Sequence, residues 1–175
     1  KRGLSSDNNE QIRNMDPDEF DTIINHIGRC EQAFNSFADT QVIRHNVHAY
    51  NCNKWELPKR SDGTIAGHIF PSINLALNAY LRLHTDEDIT HSMVSVHLPN
   101  HEYKSDDRII AYFVFPTLRV AVPLRPGDLL IFNPLVPHCL SSRCRSEDNV
   151  YTHSVYLKTS VVGLNDNHLP LTEEQ

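Results

Sequence analysis

His84-Thr85-Asp86 sets an imidazole and a carboxylate two residues apart. On an extended chain, positions i and i+2 lie on the same side, so both side chains reach one metal ion. A third ligand has to come from far along the chain, and His138, 52 residues after Asp86, is the best placed. It ends the run RPGDLLIFNPLVPH. Pro126-Gly127-Asp128 reads as a tight turn, Leu129 to Phe132 as a short buried strand, and Asn133-Pro134 as its stop. Pro137 then precedes His138 at the start of the next strand. Two histidines and one carboxylate on one face of an ion leave the opposite face open, which is the arrangement for Fe(II) and O₂ chemistry. HxD by itself is a weak signal in a chain with eleven histidines. Joined to the turn, strand and returning His138, it is far more specific.

The elements that must position these residues are mostly strands. From residue 72, Ile73, Leu75, Leu77, Ala79, Leu81 and Leu83 take every odd position, with Asn74, Asn78, Tyr80, Arg82 and His84 among the even ones. Period two predicts a strand with a core face and a polar face. On a regular strand Asn78, Tyr80 and His84 point the same way. Further short strands are expected near 91–98, 108–115, 118–124, 128–133, 138–142 and 150–159, rich in Val, Ile, Tyr and Phe. Upstream, Asp16 suits an N-cap, Pro17 the first helical position and Glu19 a capping box. Phe20, Ile23, Ile24, Ile27, Phe34 and Phe37 recur at helical spacing, predicting one amphipathic helix over 17–37 that packs on a sheet. TQVIRHNVHAYNC, in the stretch 38–69, reads as one or two strands, and LPKRSDG as a turn. One helix followed by many short strands predicts a mainly β sandwich or jelly roll.

The chain has 175 residues, enough for one domain with a real core. Residues 1–14 are polar and read as a disordered segment or linker, and 15–175 as a single domain. The start on Lys1-Arg2-Gly3, without Met, is what a fragment or processed chain would show. No apolar run approaches the roughly 20 residues that a membrane helix needs. A net charge of -6 argues against a broad basic surface for nucleic-acid backbone. Cys30, Cys52, Cys139 and Cys144 form no CxxC pair, so a zinc ribbon is not expected. Reduced thiols in an intracellular protein, cytoplasmic or nuclear, are the expectation. His91, His97 and His101 fit no familiar metal spacing.

The HTD, PGDLLIFNP and PH motifs, within about residues 70–160, resemble the Fe(II)/2-oxoglutarate-dependent dioxygenase superfamily. LNAYLRLHTDED looks like the AlkB-type run in which an N-x-Y pair precedes HxD. The AlkB-like and the ten-eleven translocation and J-binding-protein members are the nearest. The resemblance implies a double-stranded β-helix, or jelly roll, with a supporting N-terminal α-helix. It implies Fe(II) on His84, Asp86 and His138, with 2-oxoglutarate as small-molecule co-substrate. The activity implied is hydroxylation or demethylation of a C–H bond, with a nucleobase in nucleic acid among the substrates. Asn78 and Tyr80 become co-substrate contacts, and the same two side chains also suit a structural role, paired with backbone. The family's cation for the distal carboxylate has no Arg at the expected place in VYTHSVYLKTS. Lys158 is the nearest cation, with Ser154 on its face. Arg143 serves if the strand is irregular, and His153 lies on the opposite face. Arg82 shares the His84 face and suits a substrate carboxylate or phosphate. Asp88 resembles the second acid of HxDxD and so a substrate contact, although an exposed loop carboxylate is the simpler reading.

Two other functions remain open on the residues alone. A cupin-type metal enzyme without 2-oxoglutarate would suit GDLLIFNPLVPH, but its usual HxH with a following Glu is not what HTD offers. A non-catalytic β-helix module would use the groove to bind a partner.

Overall fold

A computed structural model describes residues 2–4, 16–53, 57, 59–88, 90–99 and 107–157. The first helix, α1 (Pro17–Phe37), has the bounds that the spacing gives. Asp16 Oδ1 accepts the Asp18 amide at 2.8 Å, and Pro17 occupies the first turn. The stretch read as strands is instead a second helix, α2 (Thr40–Asn53). Its half-buried Val42, Ile43 and Tyr50 and buried Asn46 and Ala49 fall at helical spacing. This burial outweighs the strand preference of the β-branched residues.

Among the described residues nine strands form two antiparallel sheets. The first runs β1 (Arg2–Leu4), β2 (Ser72–Leu77), β9 (Tyr151–Tyr156), β4 (Ser92–His97) and β7 (Leu129–Phe132). The second runs β3 (Leu81–His84), β8 (His138–Leu140), β5 (Ala111–Phe115) and β6 (Val120–Leu124). β1 falls inside the span read as disorder or linker, and the rest of that span lies outside the described residues. Ile73, Met93 and Val155 face the helices and pack with Ile24, Ile27 and Phe34. The other core lies between the sheets, where Val94, Val96 and Phe132 meet Phe113, Phe115, Leu124 and Leu140.

The long alternating run is not one strand. It breaks at Asn78, whose φ of 52° is left-handed, a conformation Asn tolerates better than most residues. The chain leaves the first sheet there and enters the second as β3. Asn78 is held at the corner by three bonds. Its amide donates to Val150 O at 2.7 Å, its Oδ1 accepts the Val150 amide at 2.9 Å, and its Nδ2 donates to Asn149 Oδ1 at 3.2 Å. The apolar positions therefore do not share one buried face. Ile73 is fully buried under the helices, whereas Leu75, Leu77 and Leu83 are 37%, 54% and 59% exposed. The polar partners Ser72 and Asn74 turn inward, between the sheets. Asn78→Ala loses the side-chain bonds and adds left-handed strain, so about 1–3 kcal/mol of stability should go. Urea unfolding checks this, and the metal stoichiometry of the folded variant should be unchanged.

Candidate metal centre

His84 closes β3 and His138 opens β8, and the two are direct partners in the antiparallel register. The register is irregular between Leu81 and His84. Asp86 follows in a loop that is tied down by its own amide, which donates to Pro134 O at 3.0 Å. His84 Nε2 stands 3.6 Å from Asp86 Oδ1, and His138 Nε2 stands 3.3 Å from Asp86 Oδ2. Ligand atoms about 2.1 Å from one ion and at right angles stand about 3 Å apart, close to these separations. Among the described residues this is the group of His, Cys and carboxylate side chains compact enough for one ion.

The ring tautomers follow from the main chain. His84 Nδ1 lies 2.6 Å from Arg82 O, and His138 Nδ1 lies 2.8 Å from Val136 O. A carbonyl only accepts, so each Nδ1 carries the proton and each Nε2 presents its lone pair to the centre. Metal-binding histidines are ordinarily oriented in this way.

The two sides of the centre differ. His138 is 2% exposed. The Phe113 ring stacks on it at 5.2 Å, and Phe132 meets it edge-on at 4.9 Å. The side chains of His84 and Asp86 are 32% and 41% exposed. Burial opposes protonation of His138, but the Asp86 carboxylate, the Val136 carbonyl and the charges of Asp86 and Asp88 outweigh it and raise its pKa. A cation bound at Nε2 would take the place of that proton.

The remaining candidates divide. Ser154 faces inward on β9, opposite Asn74 and Val94. Asn78 is engaged at its left-handed corner, Tyr80 is 63% exposed, and the run from Asn78 to His84 is not one regular strand. Arg82 is exposed and meets the centre through its carbonyl. Arg143 donates to Asp148 O at 3.0 Å, in the connection beyond the far end of β8 from His138. Asp88 is not an exposed loop carboxylate. It is 6% exposed and accepts the Ser92 hydroxyl at 3.1 Å. Lys158 lies outside the described residues. His153 is on the helix-facing side of its strand.

Several inward residues escaped the sequence reading. Ser72, Asn74, Thr152 and Tyr156 lie on the same face as Ser154, set by the β2, β9 and β4 registers. Ser72 Oγ, Asn74 Oδ1 and Thr152 Oγ1 are buried without a hydrogen-bond partner, and buried polar atoms in that state call for a water, ion or ligand. Burial, then the charges of Asp88 and Asp86, push the Tyr156 phenol above its usual range, so it stays a donor. The signal for Thr152 and Tyr156 was parity with Ser154 along one strand.

No family model matches the chain, and no curated protein does. A solved structure described as NgTET1 in complex with 5mC DNA is similar with a TM-score of 0.45 at 14% identity, over 81% of this chain and 49% of that one. The chain thus spans about half the length of that protein. This likeness is too slight to assign a fold family, an activity or a partner.

Proposed function

We propose that the chain is an Fe(II)- and 2-oxoglutarate-dependent oxygenase that hydroxylates or demethylates a C–H bond, built on a double-stranded β-helix. The observation that carries this reading is the convergence of His84 Nε2, the Asp86 carboxylate and His138 Nε2, with both Nδ1 atoms committed to carbonyls and one side open. Two imidazoles and one carboxylate, with no thiolate, suit Fe(II) better than a closed zinc site. The strand layout supports the fold. From β2 to β9 the chain visits the sheets in the order first, second, first, second, second, first, second, first.

Bound Fe(II), with O₂ and the co-substrate, would supply the oxidising power for C–H chemistry. The chain's own residues do the rest. His84, Asp86 and His138 hold the ion, and the carbonyls of Arg82 and Val136 fix the two rings. Phe113 and Phe132 keep water from the buried side. The orphaned oxygens of Ser72, Asn74 and Thr152, with Ser154 and Tyr156, offer a polar strip that fits an oxygen-rich co-substrate. Lys158 is the proposed partner for its distal carboxylate. A nucleobase is the substrate class that the motif resemblance favours, with Arg82 and Asp88 as the proposed contacts.

An anaerobic Fe(II) titration with and without 2-oxoglutarate tests the reading. A visible charge-transfer band should appear only when both are present. Metal binding without the band would sink the 2-oxoglutarate assignment and favour a cupin-type enzyme, and no metal binding would leave a binding module.

A further inference from the structure

Away from the metal centre, three histidines from three elements meet on the helix-facing side of the first sheet. His26 comes from α1, His153 from β9 and His97 from β4. His26 Nε2 stands 2.8 Å from His153 Nδ1, with the rings edge-to-face at 4.6 Å. On the other flank of His153 lies the His97 ring, 4.6 Å away and tilted by 31°. The Ser95 hydroxyl bonds His97 Nε2, and Cys30 Sγ lies 3.5 Å from His26 Nε2. This is a row with His153 in the middle rather than a cage. A nitrogen–nitrogen separation of 2.8 Å fits one shared proton. A second proton would set two ring N–H groups head to head.

We propose that His26, His153 and His97 form a proton-sensitive latch between α1 and the first sheet, closed while the imidazoles are neutral and opened when the row takes up a further proton.

The surroundings favour this. From α1, Arg29 adds a permanent positive charge beside His26. The Cys30 thiol is pushed up to about 11 by burial, so it stays neutral. From β4 come Ser95 and His97 itself. From β9, Tyr151 shares the face of His153. β2 contributes Leu75, opposite His153, and Arg2 of β1 stands opposite Leu75 in the register. Among the described residues, Arg29 acts on His26 and the rings act on one another, each as a positive charge. Burial first, then those neighbours, hold all three below the usual histidine range, His153 at about 4. A histidine depressed in the folded state binds its proton more readily in the unlatched one. The latch therefore contributes fully above about pH 6.5 and is lost progressively as pH falls towards 4. β9 and β4 carry Ser154, Tyr156 and Ser92 on their opposite face, so release of α1 loosens the floor of the polar strip.

Hydrogen–deuterium exchange of the full chain, corrected for the intrinsic rate at each pH, reads the latch directly. Protection of the Pro17–Phe37 segment should fall about tenfold or more between pH 7 and pH 5, while β5 and β6 hold. In His153→Gln that dependence should flatten. A flat profile in the unmodified chain, or an unchanged slope in the variant, would overturn the latch. Should the variant not fold, ring titration of the unmodified chain by NMR decides. A His153 that resists protonation to well below pH 6 upholds the proposal, and one that titrates near 6.5 refutes it.

Discussion

His138→Ala should abolish metal binding at the triad. Loss of a contact that merely supports a ligand costs 10–100-fold in affinity. Loss of one of three protein ligands should cost more, about 1,000-fold or beyond, because the remaining imidazole and carboxylate sit at the exposed side with water as their competitor. The His138 side chain also fills space between Phe113 and Phe132, so the alanine variant loses about 2–4 kcal/mol of stability through the cavity it leaves. Asp86→Asn separates the two effects. Its side chain is 41% exposed, and the tie of its amide to Pro134 O belongs to the main chain. Stability should barely move, while Fe(II) affinity still falls by two orders of magnitude or more, since a neutral amide replaces the only anionic ligand. Calorimetric titration with Fe(II) and thermal unfolding on the same samples test both. Full-affinity metal binding by either variant would mean that the ion sits elsewhere.

Glu31→Ala should be the most damaging substitution outside the centre. Glu31 is 3% exposed, yet its carboxylate accepts the backbone amides of His68 at 2.7 and 2.8 Å, of Ile69 at 2.9 Å and, more distantly, of Phe70 at 3.5 Å. It thereby bolts α1 to the segment that leads into β2. The segment fits only because Gly67 has no side chain. A Cβ there would stand 2.6 Å from Glu31 Oε2. Removing the acceptor strands buried amides, each costing about 1–3 kcal/mol, so a total of about 3–5 kcal/mol is expected. Glu31→Gln keeps one acceptor oxygen and should lose about half as much. Chemical unfolding measures both, and a loss under about 1 kcal/mol for alanine would show that water replaces the carboxylate.

How far the sequence discloses this molecule depends on where each instruction is written. The start of α1 is spelled by Asp16 and Pro17, and its stripe by Ile24, Ile27 and Phe34, so its bounds are legible. The PGD turn announces β7, and the following Pro137 announces the return to His138. α2 reads as strand in the sequence because Val42, Ile43 and Val47 speak for a strand locally, and only the burial of Asn46 and Ala49 speaks for a helix. The corner at Asn78 is hidden because alternation continues through it unbroken. Asn78, Ala79 and Tyr80 separate β2 from β3, and the left-handed backbone lies at Asn78. Asp88 looked like a loop acid because its partner, Ser92, belongs to the next strand and pairs with it only in the fold. The strip of Ser72, Asn74 and Thr152 went unread for a related reason. Small polar residues inside a sheet look like solvent-facing ones until a second sheet covers them.

Both groups that aim the imidazoles of the triad are main-chain carbonyls, at Arg82 and Val136, each two residues before its histidine. Any amino acid carries that carbonyl. Exchange of the side chain at either position should therefore leave the centre intact. Inserting or deleting a single residue between carbonyl and ring should disable it. Such a centre is tolerant of substitution and intolerant of length change.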